Sequence, residues 1–577
     1  MPAVETLGSV SIICSDKTGT LTQNKMTVVK TYTLDNINAV AEVEIGRQAT
    51  GDELELVKTL TLCTDATYEK GESTGDPTEV ALVVLGDKHG VKKSNLAVKH
   101  QRIAENPFDS DRKLMSTLNV EGDHYRVNTK GAMDHLLNIV THVLYKGEVI
   151  PMTDEIKAEY NEIENLMSDD ALRVLGAAYK DVDSVIAPEE MEKDLVLIGI
   201  VGMIDPPRLE VKDSIREAQQ AGITLIMITG DHKNTAVAIA KELGIAQSLD
   251  QSITGSEIDE YTDEEFAENI KNYRVFSRVS PEHKVKIVRA FKAHGNIVSM
   301  TGDGVNDAPS LKFADIGVAM GITGTDVAKG AADMILTDDN FTTIVHAIEE
   351  GRNIYNNIKK AVIFLLSCNL GEVISIFVAI LFDMPVPLIA TQILWVNLIT
   401  DALPALALGV DPGDHDVMKN KPRDPKESFF AHGAGYRAIV GGVLIGTLTL
   451  AAFYFGLTEF GHGIFSNDIP DRDLEYARTM AFVVLASSQL FYSISLRHDT
   501  KSIFQIGLFS NKYLIGAIVV GLILQMSVIE IDALAAIFKC VDLSTSDWQM
   551  VFVFACMPLV VNEIEKLVTR MMSKSDN

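Results

Sequence analysis

The chain is poor in positive charge and in cysteine, and each shortage removes a class of function. Lysine and arginine number 51 against 79 aspartates and glutamates in 577 residues, a formal net charge of −28. Gripping a phosphate backbone needs a basic face, so nucleic acid is excluded as a partner. The five cysteines, Cys14, Cys63, Cys368, Cys540 and Cys556, show no CxxC or CxxH spacing. Neither a zinc site nor a disulfide framework is indicated, and a reducing cytosolic face is the default. The first 21 residues lack the continuous apolar stretch of a signal peptide, so membrane insertion has to be driven from inside the chain.

Long apolar runs are missing from the first part and dominate from Ala361 onward. About 20 apolar residues span a bilayer core, and six segments are candidates: 361–382, 388–410, 434–457, 476–496, 513–531 and 548–567. Lys419, Lys421, Arg423 and Lys426 follow the second segment, and Arg497, Lys501 and Lys512 follow the fourth. Glu459, Asp468, Asp471, Asp473 and Glu475 crowd the loop between the third and fourth. The positive-inside rule puts the basic loops and the tail with Lys566, Arg570 and Lys574 in the cytoplasm. The preceding soluble part is then cytoplasmic too, and the lipid bilayer is a partner.

That soluble part reads as alternating strands and helices, with room for several domains. Residues 10–14 form an apolar run ending at Ser15-Asp16; 223–228 ends at Thr229-Gly230-Asp231; 297–300 ends at Thr301-Gly302-Asp303-Gly304. A carboxylate thus follows each of three buried strands. In a doubly wound parallel sheet such strand ends line the crevice where ligands bind. Residues 316–320 and 334–337 look like further strands, and the stretch between Asp16 and Ile223 is too long for a loop and should be a domain of its own. Several acids at one sheet edge suit a magnesium and phosphate site, since Mg2+ favours carboxylate, carbonyl and water oxygens. Singly, an Asp after a strand is often a helix cap and Thr-Gly-Asp is ordinary turn chemistry. Their coincidence is what points to phosphoryl chemistry.

Asp16-Lys17-Thr18-Gly19-Thr20-Leu21-Thr22 matches the phosphorylation motif of P-type ATPases, and Thr301-Gly302-Asp303-Gly304-Val305-Asn306-Asp307-Ala308-Pro309 matches their hinge motif. Asp205-Pro206-Pro207-Arg208, Thr229-Gly230-Asp231 and Lys284 fill other family positions in order, so the whole chain resembles this family. The resemblance implies a haloacid-dehalogenase-like doubly wound α/β phosphorylation domain at 1–28 and 204–342, with an inserted α+β nucleotide-binding domain at 29–203. It further implies a stalk and an all-α transmembrane bundle of about six helices at 343–570, and a cytoplasmic tail at 571–577.

Under that resemblance Asp16 is the nucleophile that forms an aspartyl phosphate from ATP. Lys284 offsets the developing charge, and Lys17, Asp231, Thr229, Gly230 and Asn306 complete the phosphoryl site. Mg2+ would be held by Asp16, Thr18, Asp303 and Asp307. The inserted domain carries Gly75-Asp76-Pro77-Thr78-Glu79, Phe108, Arg112-Lys113, Lys130-Gly131-Ala132 and Arg173 at the family's ATP positions. Each is weak alone; their order behind the phosphorylation motif raises the functional reading. Phe108 offers a stacking face, and Lys113, Lys130 and Arg173 offer donors and positive charge. Glu79, Arg112, Gly131, Asp205, Arg208 and Arg278 are implied as further nucleotide contacts.

Polar residues inside the apolar segments speak to what is carried. Asn369 and Glu372 are three apart, and Asn397, Thr400 and Asp401 have three-and-four spacing, so each set shares a helix face. An intramembrane carboxylate is costly without a partner or ion and is functional by default. Pro404 lacks the N–H that would bond the Thr400 carbonyl, which frees that oxygen for a cation, water or a neighbour. The donor set is all oxygen, which suits Ca2+ better than a soft metal. Trp395-Val396-Asn397-Leu398-Ile399-Thr400-Asp401 resembles calcium pumps of the sarcoplasmic-reticulum and bacterial kind, whereas Gln489 stands where those pumps have a glutamate. Ca2+ as transported ion, in one or two copies per cycle, is the expectation; Na+ or Mn2+ are alternatives.

The resemblance also implies an actuator domain with a Thr-Gly-Glu motif and four earlier membrane helices, none of which occurs in this sequence. The expectation is therefore a pump that needs that N-terminal part as a partner, or else a non-pumping ATP-binding remnant, in a prokaryotic cell membrane.

Overall fold

The structure, a computed structural model, describes all residues except 1, 24, 35–40, 43–47, 171, 425–426, 432, 464, 466–468 and 576–577. Lys426 and Asp468, which the sequence singled out, lie outside the described residues. Two compact units form: residues 10–346, and residues 1–9 with 347–577.

The first unit is built on a seven-stranded parallel sheet. Its strands are β1 (Ile12–Asp16), β2 (Thr224–Ile228), β3 (Ser252–Thr254), β4 (Val275–Ser277), β5 (Val298–Gly302), β6 (Ile316–Met320) and β7 (Met334–Leu336), in the order β3-β4-β2-β1-β5-β6-β7. β1 sits in the middle, buried from Ile12 to Ser15, with Asp16 in register with Ile228 and Cys14 with Met300. Both faces of a parallel sheet are covered by helices, so its strands are apolar throughout; Ile12, Ile226, Ile228, Val298 and Met300 share one core with Phe276 and Phe291. All pairings are parallel, so β1, β2 and β5 deliver their C-terminal residues to one edge.

A nine-stranded mixed sheet occupies residues 27–204 of the same unit. Arg102–Asp109, Leu114–Glu121, His124–Gly131 and Arg173–Val182 lie side by side and antiparallel, and Leu195–Ile204 pairs antiparallel with Thr27–Thr33. Helices Asp52–Leu62, Pro77–Lys88 and Asp154–Asp169 pack on it through cores of their own.

The other unit is helical: α1 (Phe341–Leu381, which begins in the first unit), α2 (Ala390–Gly409), α3 (Ala434–Thr458), α4 (Asp471–Ser495), α5 (Lys512–Glu530) and α6 (Thr545–Ser575). Four of these, α1, α2, α3 and α5, are long and apolar enough to cross a membrane. The sequence expectation was about six. α4 departs from it for a physical reason: nearly every residue from Ala477 to Ser495 is buried against α3, α5 and α6. A helix enclosed by protein does not need a lipid-facing surface, and α4 accordingly carries Ser487, Ser488, Gln489, Ser493 and Ser495. α6 is diluted by Glu563, Glu565, Lys566 and Arg570 in its last turns.

Candidate functional site

At the C-terminal edge of the parallel sheet Asp16 ends β1, and its backbone N–H donates to Thr301 Oγ1 at 3.0 Å. The chain then breaks from regular geometry: Thr18 is extended, and Gly19 takes φ +77°, a conformation that favours glycine. Lys284 lies in the first turn of the helix Pro281–Ala293, whose start is set by Pro281 and by a reciprocal cap between Ser280 and His283. That turn delivers Lys284 Nζ to Asp16 Oδ2 and to Asp307 Oδ1, both at 2.6 Å, with the lysine 9 % exposed. Lys17 Nζ donates to Asp231 Oδ2 at 2.6 Å. Burial pushes the Asp16 carboxyl above the usual aspartate range, against the opposing pull of Lys284. Burial also opposes the Lys284 ammonium, but Asp16 and Asp307 outweigh it and hold its pKa above the ordinary lysine value. Asp303 is raised by burial and then by Asp16 and Asp307, so three carboxyls share one field.

The predicted magnesium set divides. Asp307 spends Oδ1 on Lys284 and Oδ2 on the N–H groups of Asp303 and Gly304 at 3.2 and 3.0 Å, which makes it a brace for the loop. Asp16, exposed Thr18 and half-buried Asp303 stand at the open end of the edge. Two carboxylates with room for water and phosphate oxygens fit Mg2+, which keeps several waters of its own. No cluster of three His, Cys, Asp or Glu able to hold a metal occurs among the described residues. Thr229 is buried at the end of β2, while Gly230 and Asn306 are exposed at the same edge.

Asp205, Arg208 and Arg278 sit away from the predicted nucleotide cluster. Asp205 accepts from Thr22 Oγ1 and Lys25 N–H, and Arg208 donates to the carbonyls of Thr22 and Gly19 at 3.1 and 3.3 Å. They fasten the strands entering and leaving the mixed-sheet insertion to the loop after Asp16. Arg278, at φ +50°, donates its backbone N–H to the Asp231 carbonyl.

The mixed sheet holds an open cavity of about 240 Å3 lined by Glu79, Phe108, Lys113, Lys130, Gly131 and Arg173. Lys130 pairs with Glu79, whose other oxygen accepts from Asp65 and Ala66 N–H groups, and Arg173 donates to Thr78 Oγ1 at 3.0 Å. Phe108 is 62 % exposed, an aromatic face held out to solvent on a strand. Gly131 is required here: a Cβ would lie 2.5 Å from the Lys113 carbonyl. Arg112 also leaves the predicted set, its guanidinium taken by Glu192 at 2.5 Å and the Pro107 carbonyl at 2.6 Å.

Among the helices, Asn397 Nδ2 donates to Glu372 Oε2 at 2.9 Å and Thr400 Oγ1 to the Val396 carbonyl. Residues Val396–Asp401 form a π-helical turn, the kind of irregularity that recurs at functional sites. Glu372, Thr400, Asp401 and Gln489 are buried. Glu372 Oε1, both Asp401 oxygens and both Gln489 amide atoms have no hydrogen-bond partner among the described residues. Orphaned buried oxygens of this kind are costly unless a cation or proton meets them. Asn369 is not among them: it is exposed and its amide donates to the Leu365 carbonyl.

One residue escaped the sequence reading. Asp339, 3 % exposed and at φ +50°, accepts from the N–H groups of Gly321, Ile322 and Thr323 at 2.6, 3.0 and 2.8 Å and from Thr323 Oγ1 at 2.8 Å. Burial alone would raise its carboxyl pKa, but these bonds outweigh it and hold it below the usual aspartate value. The loop it clasps ends at Thr325, whose N–H donates to the Asp303 carbonyl at 2.8 Å. Asp338-Asp339-Asn340 ahead of Phe341 reads in sequence as a helix start, and nothing local shows which acid reaches back to residues 321–323.

Two family models match: "P-type ATPase, cytoplasmic domain N" over residues 54–210 and "Cation transporting ATPase, C-terminus" over 385–568. The chain is 54% identical over 577 residues to "Calcium-transporting ATPase 1" of Bacillus cereus, covering 99% of this chain and 64% of that protein. It is 43% identical to "Calcium-transporting ATPase" of Bacillus subtilis, over 97% and 64% of the two. With "Calcium-transporting ATPase type 2C member 1" of Homo sapiens the identity is 38% over 100% of this chain and 62% of the relative. The chain thus spans less than two thirds of the length of these relatives.

Proposed function

Because the chain belongs to the P-type cation-transporting ATPases, we propose that it carries the catalytic site and part of the transport site of an ATP-driven Ca2+ pump working through an aspartyl phosphate. The observation that supports this most directly is Asp16 at the end of the central strand with Lys284 Nζ at 2.6 Å. Asp16 attacks the γ-phosphorus of ATP, a P–O bond forms to its carboxylate, and ADP leaves with the electron pair of the broken bond. Lys284 offsets charge on the transferring group, and the Thr229, Gly230 and Asn306 donors orient its oxygens. Asp16 and Asp303 are the residues that would hold Mg2+, with Thr18 beside them; the ion supplies charge neutralisation on the phosphate. The domain division we adopt is the one the resemblance implies, 1–28 with 204–342, 29–203, 343–570 and 571–577; the separate parallel and mixed sheets support it, whereas residues 1–9 group with the helical unit.

ATP fits the cavity of the mixed sheet, its adenine against Phe108 and its polar part facing Lys113, Lys130 and Arg173. Glu372, Asn397, Thr400, Asp401 and Gln489 form an all-oxygen set for Ca2+ as substrate, and the names of the relatives favour that ion. A prokaryotic cell membrane with the ATP site on the cytoplasmic side is the matching location. The test is phosphorylation with γ-labelled ATP and Mg2+. An acid-stable, hydroxylamine-labile phosphoenzyme that disappears in Asp16→Asn is expected; label retained in that variant, or absent from the wild type, refutes the assignment.

A further inference from the structure

The helical unit holds a second polar cavity, of about 500 Å3, which the proposed ATP and Ca2+ chemistry does not use. It lies between the start of α1 and the loop joining α2 to α3, with Arg352, Lys359, Lys421 and Arg423 in its wall. Four cations face one carboxylate, Glu427, among the described lining residues. This is a local excess of positive charge in a chain whose net charge is −28. The wall is built. Arg352 Nη1 ties down the carbonyls of Val417 and Asn420 at 2.9 and 2.8 Å, and the Arg423 guanidinium stacks 4.1 Å over the Tyr355 ring. Arg423 also donates to Tyr355 Oη at 3.0 Å and Ser9 Oγ at 3.4 Å, and its ion pair with Glu5 is a loose one at 3.7 Å.

Position indicates what such a cavity meets. Lys359 stands two residues before the apolar run of α1 opens at Ala361. Phe430, just before α3, and Tyr436, in its first turn, are 50 and 64 % exposed. Exposed aromatic rings beside basic residues at the end of a spanning helix mark headgroup depth, and basic pockets between such helices suit phosphate headgroups.

We propose that this cavity binds a phosphate-bearing anion at the membrane surface, presented by an anionic phospholipid or by soluble phosphate. Lys359, Lys421 and Arg423 supply the charge, and Arg352 keeps the wall in place.

The test uses the full chain in neutral detergent micelles with spin-labelled phosphatidylglycerol or phosphatidylcholine as probe. Wild type should immobilise the glycerol lipid in preference. Lys359→Gln, Lys421→Gln and Arg423→Gln should each cut that preference about five-fold, the effect of one basic residue near a phosphate surface. Lys512→Gln, a basic change outside the cavity, should leave it unchanged. Arg423→Lys keeps the charge and should retain most of the preference, which separates a charge effect from lost packing on Tyr355. Displacement of the labelled lipid by millimolar inorganic phosphate identifies a soluble occupant, and displacement by unlabelled phosphatidylglycerol alone identifies the lipid. Equal retention of both lipids by wild type without competition from phosphate, or a folded triple variant that keeps the preference, overturns the proposal.

Discussion

Asp339→Asn isolates a residue that touches no substrate position yet organises the loop bound to Asp303. Its carboxylate takes three backbone N–H groups and one hydroxyl at 2.6–3.0 Å while 3 % exposed. The amide keeps one acceptor oxygen, so the bonds from Gly321 and Ile322 survive as weaker neutral ones. The two from Thr323 are replaced by an amide N–H2 facing an N–H and a hydroxyl. Hydrogen bonds to a charged group are worth roughly 1.5–3 kcal/mol each and do not add fully, so a loss of about 3 kcal/mol is expected. That is a large share of a typical total of about 5–15 kcal/mol and should lower the thermal midpoint of the first unit by roughly 6 °C or more. Asp338→Asn is the control: exposed, it accepts from Thr343 Oγ1 and Asn340 N–H, and its loss should cost under about 1 kcal/mol. Urea unfolding of both variants, with hydrogen exchange of residues 321–325, reads the difference. The pH dependence has a definite sign. A carboxyl whose folded pKa is depressed contributes stability above its unfolded value near about 3.9, and that contribution fades as pH falls through the folded value. The gap between wild type and Asp339→Asn should therefore close only in acid, below about pH 4. Equal stability of the two variants at pH 7, or a gap that does not change in acid, would refute the reasoning.

Two further outcomes are expected. Phe108→Ala should weaken binding of a fluorescent ATP analogue about ten-fold, the cost of roughly 1–2 kcal/mol of ring contact; Arg112→Ala should change it far less, because Glu192 and Pro107 already occupy that guanidinium. For Ca2+, equilibrium binding of 45Ca to the full chain should fall at least ten-fold in Asp401→Asn and much less in Asn369→Ala, since the buried Asp401 oxygens have no hydrogen-bond partner among the described residues and Asn369 is exposed. The reverse ranking would displace the site from Asp401.

Much of this was legible one residue at a time. Parallel strands covered on both faces must be apolar along their length, so the runs ending at Asp16, Thr229 and Gly302 announced themselves. Asp16-Lys17-Thr18-Gly19 and Asp303 follow such runs directly, which places the acids at one sheet edge from sequence alone. α4 was legible as a helix but not as an enclosed one, because the polar character of Ser487, Ser488 and Gln489 has the same sequence pattern whether a neighbour or water meets it.

The sequence by itself determined where the carboxylates fall relative to the strands, and where the long helices of the last third run. These follow from local periodicity, which needs no distant partner. Only the tertiary structure decided which side chains are spent on one another. Arg112 on Glu192, Asp307 on Lys284 and its own loop, Asp205 on Thr22 and Asp339 on residues 321–323 are pairings between residues 3 to 183 apart. Charge and hydrogen-bonding capacity are properties of a residue, but whether they remain available to a ligand depends on what the folded chain brings beside them.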